Sequence, residues 1–199
     1  MEKNNNYWLR QVPGIPDDCF HRGKVPMTKE EVRVITLAKG KLFPEAIVYD
    51  IGAGTGSLSI EAALLAYQGQ VWAIERKPEA VELIKKNRDF FQVNNLHILA
   101  QEAPAGLADL PEADVIFVGG SGGHLGEILE LCLLKLKPQG RIVVNAITHE
   151  TLQKTLDFSQ VQDLAYEVVT VAVTKMEKVG DYHMWKGLNP VQIITLTRK

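Results

Sequence analysis

Residues 47–75 constrain the fold more than any other stretch of the chain. Ile47–Ile51 forms a short strand, apolar apart from Tyr49 and Asp50. It runs directly into Asp50-Ile51-Gly52-Ala53-Gly54-Thr55-Gly56-Ser57. Leu58–Ala66 follows, apolar on most faces and so predicted to be a buried helix. Gln70–Glu75 is a second strand, and it ends in an acid. Glycines placed between a strand and a helix let the backbone turn tightly and approach a ligand closely. The helix that follows offers its first N–H groups to that ligand. A purely structural turn would place three glycines in five residues at a cost to helix and strand and with no return. The dinucleotide fingerprint has its third glycine three residues after the second. Here that position is Ser57, and the third glycine comes one residue early.

The pattern GxGxG preceded by Asp-Ile resembles the first motif of S-adenosylmethionine enzymes. Glu75, 19 positions after Gly56, stands where an acid accepts both ribose hydroxyls of a nucleoside. Arg76 and Lys77 follow it and also suit a 2′-phosphate, so an NADP-dependent oxidoreductase is the alternative from another class. The early third glycine counts against it.

The rest of the chain continues the strand–helix rhythm. A helix is predicted over Pro78–Val93, with Pro78 in its first turn, then a strand at His97–Ala100. Another strand spans Ala113–Val118, followed by a helix over Leu125–Leu136, a strand at Arg141–Ala146 and a helix over His149–Leu156. Upstream, Thr28 and Glu31 have capping-box spacing, and a helix is predicted from Thr28 to Ala38. Such alternation implies βαβ units and a parallel sheet, and apolar strands such as Val115–Val118 suit a sheet covered on both faces. The rhythm then breaks. Tyr166–Lys175 and Val191–Thr197 are β-rich, and the fifteen residues between them suit an antiparallel hairpin. The fold expected is α/β: a class I methyltransferase Rossmann-like fold, with a mostly parallel seven-stranded sheet and a C-terminal antiparallel hairpin. Residues 1–45 read as an N-terminal extension with the first helix, and residues 46–199 as the methyltransferase domain.

Composition narrows the partners. Hydrophobic residues make up 46% and formal net charge is −2, with no basic or acidic block. Neither nucleic acid nor a membrane surface is advertised. No apolar run reaches 18 residues, and the first ten residues do not read as a signal peptide. Cys19 and Cys132 lie far apart and read as reduced thiols of a cytoplasmic protein. Histidines 21, 97, 124, 149 and 183 form no metal-ligand spacing; His124 and Glu127 alone do not make a site. No metal is expected, and no Ser/His/Asp arrangement is legible.

A closer resemblance covers most of the chain. GIPDDCFHRGKVPMTKEEVR, YDIGAGTGSLSIEAA, AIERKPEAVELIKKN, DVIFVGGSGGHLGEIL and GRIVVNAIT are similar to the decarboxylating precorrin methyltransferases of cobalamin biosynthesis, which act at carbon-15 of the corrin precursor. The resemblance implies S-adenosylmethionine as cofactor, a tetrapyrrole substrate, with or without cobalt, and a homo-oligomer, commonly a tetramer. It places cofactor contacts on Thr28, on Gly52, Ala53, Gly54, Thr55 and Gly56, on Glu75 and on Ala103. Gln101-Glu102 departs from the Gly-Asp that relatives show before the alanine. Gly119–Gly123 replaces the Asn/Asp-Pro-Pro-aromatic motif of enzymes that methylate exocyclic base amines, and would let a flat, bulky substrate come close. Candidate substrate residues are Arg22, Lys24, Gly120, Asn145, His183 and Lys186. No catalytic residue is nominated, because a meso carbon of a reduced tetrapyrrole is electron-rich and needs no strong base. Another small molecule, RNA or protein remains an alternative methyl acceptor.

Overall fold

The computed structural model describes residues 13–199. Helices α1 (Glu30–Gly40), α2 (Ser57–Leu65), α3 (Pro78–Phe90), α4 (Leu125–Lys135) and α5 (His149–Val161) surround a sheet. Its strands are β1 (Ile47–Ile51), β2 (Gln70–Ile74), β3 (Leu96–Leu99), β4 (Ala113–Val118), β5 (Leu136–Ala146), β6 (Leu164–Val171) and β9 (Val191–Arg198). Their order is β3-β2-β1-β4-β5-β9-β6. β1 to β5 are parallel, while β9 runs antiparallel to both β5 and β6. A separate ribbon, β7 (Thr174–Val179) paired with β8 (Tyr182–Gly187), joins β6 to β9. The seven-stranded sheet expected from sequence is the one observed.

Alternate residues along each strand enter opposite cores. Val48, Val71, Val115, Phe117, Val143 and Ile193 pack with α1, α2 and α3 residues such as Leu37, Ile60 and Ile84. Tyr49, Ile51, Ile116, Val118, Ile142, Val144 and Ile194 pack on the α4 side with Leu125, Ile128 and Leu129. Helix α2 is buried from Ser57 to Ala63, which explains its lack of a polar face. Ile15 and Phe20, from the segment ahead of α1, belong to the first core, so residues 13–45 pack as part of the same body.

Several local expectations change. α1 begins at Glu30, its N-cap is Lys29, and no side chain caps it. Thr28 is therefore not a capping residue; its carbonyl instead accepts from Arg33 Nη1 at 2.6 Å. β5 begins at Leu136 rather than Arg141, because Pro138 and Gly140 are absorbed in a bulge. α5 runs five residues beyond Leu156, to Val161. The run Tyr166–Lys175 is divided between β6 and β7. The supposed linker is itself β-structure, since Val179 pairs with Tyr182 across a two-residue Gly180-Asp181 turn, and Gly180 has φ +61°.

Candidate cofactor and acceptor site

The order β3-β2-β1-β4 reverses direction of progression at β1, and β1 and β4 leave their carboxyl ends side by side. That is where open α/β sheets bind ligands. Both Gly119 N–H (2.9 Å) and Gly120 N–H (3.3 Å) donate to the Ile51 carbonyl, so the loop after β4 lies against the loop after β1. Gly52 has φ +74°, and a Cβ there would stand 2.6 Å from the backbone of Gly120. Gly54 has φ +57°, with the Pro26 carbonyl 3.0 Å from where its Cβ would be. The glycines are thus required by the crossing of three backbone segments.

Glu75 follows β2 directly and is 8% exposed. Its Oε2 accepts from Gly54 N–H and its Oε1 from Lys77 N–H, each at 2.9 Å. A carboxylate has about four lone-pair sites; two are used in orienting it and two remain for a diol. Asp50, at the end of β1, is buried beneath the same turn and accepts a hydrogen bond from Ser59 Oγ. Burial pushes its carboxyl up to about 6, with Glu75 adding repulsion and Ser59 opposing the rise.

A cavity of about 430 Å³ opens above these loops, within the range of small-molecule sites. Thr28, Gly52, Ala53, Gly54, Glu75 and Ala103, the expected cofactor contacts, line it, and so do Gly120 and Asn145 from the substrate candidates. Thr55 and Gly56 do not. Gly56 caps the start of α2 and packs against Ile84, and the Thr55 carbonyl accepts from Asn87 Nδ2 at 2.8 Å. Their part is to hold the turn. The four charged substrate candidates lie outside the lining. Arg22 and Lys24 are both exposed. His183 and Lys186 stand on the exposed ribbon, where Lys186 pairs with Glu177 at 3.2 Å. The cavity instead reaches the ribbon at its root, at Val173, Leu188 and Val191.

Sequence reasoning named Thr28 but missed the residues beside it, Val25, Pro26, Met27 and Lys29, which with it form a strap across the Gly-rich turn. It is tethered by Arg33, which is completely buried. Arg33 Nε donates to Glu61 Oε1 at 2.5 Å, Nη1 to Thr28 O and to Asp17 Oδ1 at 3.2 Å, and Nη2 to Ile15 O. Glu61 also accepts from Gly14 N–H at 2.7 Å and Ile15 N–H at 3.1 Å. Asn87 adds a second tether, accepting from His21 N–H at 2.7 Å and donating to His21 O at 3.0 Å. Arg76, which could have met a 2′-phosphate, is paired with Glu102. Among the described residues no group of three metal-binding side chains gathers, and no helix is long and apolar enough to cross a membrane.

The sequence matches the family model described as the precorrin methyltransferase domain over residues 18–198. This chain belongs to the precorrin methyltransferase family. A probable cobalt-precorrin-6B C(15)-methyltransferase (decarboxylating) of Sulfurisphaera tokodaii is 44% identical over 187 residues, covering 92% of this chain and 97% of the relative. The enzyme of that name from Salmonella typhimurium, without the qualifier, is 40% identical, with 92% and 95% covered. Among solved structures, a precorrin-6y C5,15-methyltransferase from Geobacter metallireducens is 42% identical and superposes with a TM-score of 0.89, covering 94% of this chain and 96% of that one. Precorrin-8w decarboxylase from Methanobacterium thermoautotrophicum gives 0.87 at 32% identity, with 92% and 98% covered. An S-adenosylmethionine-dependent O-methyltransferase from Thermotoga maritima, 17% identical with a TM-score of 0.72, shares the fold alone, covering 87% and 67%. Family membership removes the nicotinamide oxidoreductase reading. For this precorrin methyltransferase family member, the Gly52–Gly54 cradle, the oriented Glu75 and the wall at Ala103 fit S-adenosylmethionine.

Proposed function

We propose that this chain methylates carbon-15 of a precorrin, with or without cobalt, and removes a carboxylate from it, as a step of cobalamin biosynthesis. The observation that carries the reading is Glu75, fixed by two backbone N–H groups beside the Gly52–Gly54 turn, in a chain of this family. Bound S-adenosylmethionine would supply an electrophilic methyl group. Gly52, Gly54, Glu75 and Ala103 would hold its nucleoside, and Asp50 would face its positive end. The strap Val25–Lys29 would exclude water and hold the reacting groups in line, which is most of what this chemistry asks of a protein. The ring carbon's electron pair would form the new bond to the methyl group as its bond to sulfur breaks, leaving the ring one positive charge that it sheds as a proton. Loss of carbon dioxide would leave the electron pair of the broken bond in the conjugated ring, where a proton from solvent takes it up. No side chain need act as a strong base.

We further propose a homo-oligomer, a tetramer by the family resemblance, working in the cytoplasm. Met176, Val179, Tyr182, Met184 and Trp185 all stand exposed on the β7–β8 ribbon and support an interface there. The division at residues 45 and 46 is one of role, with the first part closing the site that the second builds. The test is titration with S-adenosylhomocysteine, followed by incubation with S-adenosylmethionine and a (cobalt-)precorrin. Product mass should rise by a methyl group and fall by carbon dioxide. Labelling of RNA or protein, with the tetrapyrrole unchanged, would refute the assignment.

A further inference from the structure

Strand order divides the cavity. On the β1–β2–β3 side lie Gly52, Glu75 and Ala103, and on the β5–β9–β6 side lie Asn145, Ile147, Val173, Leu188 and Val191. Charge is divided with it. The first half carries the carboxyls of Asp50, Glu75 and Glu102 and the cations Arg76 and Lys77. In the second half, among the described residues, the polar side chains of the wall are the neutral amides of Asn145 and Asn189. The lysines of the adjoining segments are engaged elsewhere. Lys175, two residues on from Val173, pairs with Glu31 of α1 at 2.7 Å, and Lys29 of the strap pairs with Asp17 at 3.5 Å.

Asn145 sits at the seam between the halves. Val144 pairs with Val118, which places Asn145 beside Gly119. Its Oδ1 lies 3.1 Å from the hydroxyl of Thr36, a side chain with no exposure, and among the described residues no group bonds to its Nδ2. The two ends of an amide are alike in shape, but only the NH₂ end can donate, so an anionic ligand settles which way it turns. A carboxylate entering the second half therefore meets Asn145 Nδ2 and apolar side chains, but no cation. An uncompensated charge in such surroundings is costly. We propose that this cation-free half receives the peripheral carboxylate that the reaction removes, orients it with the single neutral donor Asn145 Nδ2, and by leaving its charge unpaired promotes the loss of carbon dioxide. The carbon–carbon bond to the carboxylate breaks, carbon dioxide leaves, and the electron pair passes into the conjugated ring, where a proton from solvent takes it up. Negative charge thus moves from two oxygens onto the whole ring, and a cation beside those oxygens would hold it back. The inference rests on the methyltransferase reading above and adds to it what the acceptor half does in the decarboxylation.

The test uses full-length protein and compares Val173→Lys with Val173→Met, a side chain of similar length without the charge. With S-adenosylhomocysteine bound, the lysine variant should bind the (cobalt-)precorrin roughly ten- to hundredfold more tightly than the methionine variant, because it gives the carboxylate a partner. With S-adenosylmethionine and saturating precorrin, it should release carbon dioxide more slowly by a similar factor, roughly ten- to hundredfold, since what stabilises the bound carboxylate is given up as the bond breaks. Damage to the fold would weaken binding, so tighter binding with slower release is a signature that damage does not produce. Ile147→Lys places the charge in the same half at a side chain 72% exposed, where no packing is disturbed, and should show both changes in smaller measure. Asn145→Ala should weaken precorrin binding about tenfold. Lysine variants that bind no more tightly, or that release carbon dioxide as fast as Val173→Met, would overturn the inference, and so would wild-type affinity in Asn145→Ala. Wild-type protein that transfers no methyl group to a precorrin would instead overturn the proposed function, by a measurement in which none of these variants takes part.

Discussion

Replacing Arg33 by methionine should unlock the strap. The guanidinium is completely buried and donates to Glu61, Asp17, Thr28 O and Ile15 O. Methionine fills similar volume but makes none of these bonds. It leaves the Glu61 carboxylate, 2% exposed, with only the Gly14 and Ile15 N–H groups for company. Removing one member of a buried ion pair costs about 3–5 kcal/mol, because the other charge stays behind uncompensated. Domain stability is about 5–15 kcal/mol, so the loss is a large fraction of the whole. At about 2–4 °C per kcal/mol for a chain of this size, melting should fall by roughly 6–20 °C. Urea unfolding gives the free energy directly. Because Pro26 and Thr28 form a wall of the cavity, S-adenosylhomocysteine should also bind less tightly by calorimetry, below the melting point of the variant. The double variant Arg33→Met/Glu61→Leu should recover only part of the stability, since the Gly14 and Ile15 N–H groups would then lack their acceptor. Melting within about 2 °C of wild type, with unchanged affinity, would refute the clamp, since it would mean a cost under about 1 kcal/mol.

Three further outcomes follow from the site. Glu75→Gln should weaken S-adenosylhomocysteine binding roughly ten- to hundredfold, from about 1.5–3 kcal/mol of charged hydrogen bonding, with little loss of stability; unchanged calorimetric affinity would place the diol elsewhere. Gly52→Ala should abolish cofactor binding and lower the urea midpoint, because φ +74° and the Gly120 backbone 2.6 Å away leave a Cβ no room; a variant that binds normally would show the loops to be slack. Asp50 is raised to about 6 in the fold by burial, so the native state holds its proton more tightly than the unfolded chain. Stability from this group is therefore lost as pH rises from the unfolded value to about 6, and Asp50→Asn should gain on wild type at about pH 7.5 relative to about pH 5. Equal differences in urea midpoint at the two pH values would refute that burial effect.

The parts legible in the sequence are those specified locally. The Gly-rich turn, the apolar strands and Glu75 at a strand end depend on residue type and spacing within some thirty residues, and the structure places them as read. Thr28 looked like a capping residue because Thr-x-x-Glu is a local signature, but Arg33 claims its carbonyl from one turn away. The strap could not be read, because what holds it is an ion pair between residues 28 apart and a backbone contact of Asn87 with His21, 66 apart. His183 and Lys186 read as carboxylate-binding groups in a flexible segment near the open face of the site, and strands β7 and β8 carry them out along an exposed ribbon instead. The Gly-Asp turn at 180–181 was the signal for that ribbon, partly hidden by flanking Lys, Glu and His residues that lower β propensity.

The seating of β9 between β5 and β6 bears on how the protein is made. Synthesis runs from the N-terminus, and β6 emerges twenty residues before β9 begins. Until β9 arrives, β6 has no neighbour to pair with, and β5 shows a bare edge of Val143, Val144 and their backbone groups. A nascent chain paused anywhere in the ribbon thus holds a five-stranded parallel sheet with a sticky flank. Stop codons between residues 172 and 190 should therefore yield aggregating fragments rather than smaller working enzymes, with Val173 and Val191 never meeting to close the cavity.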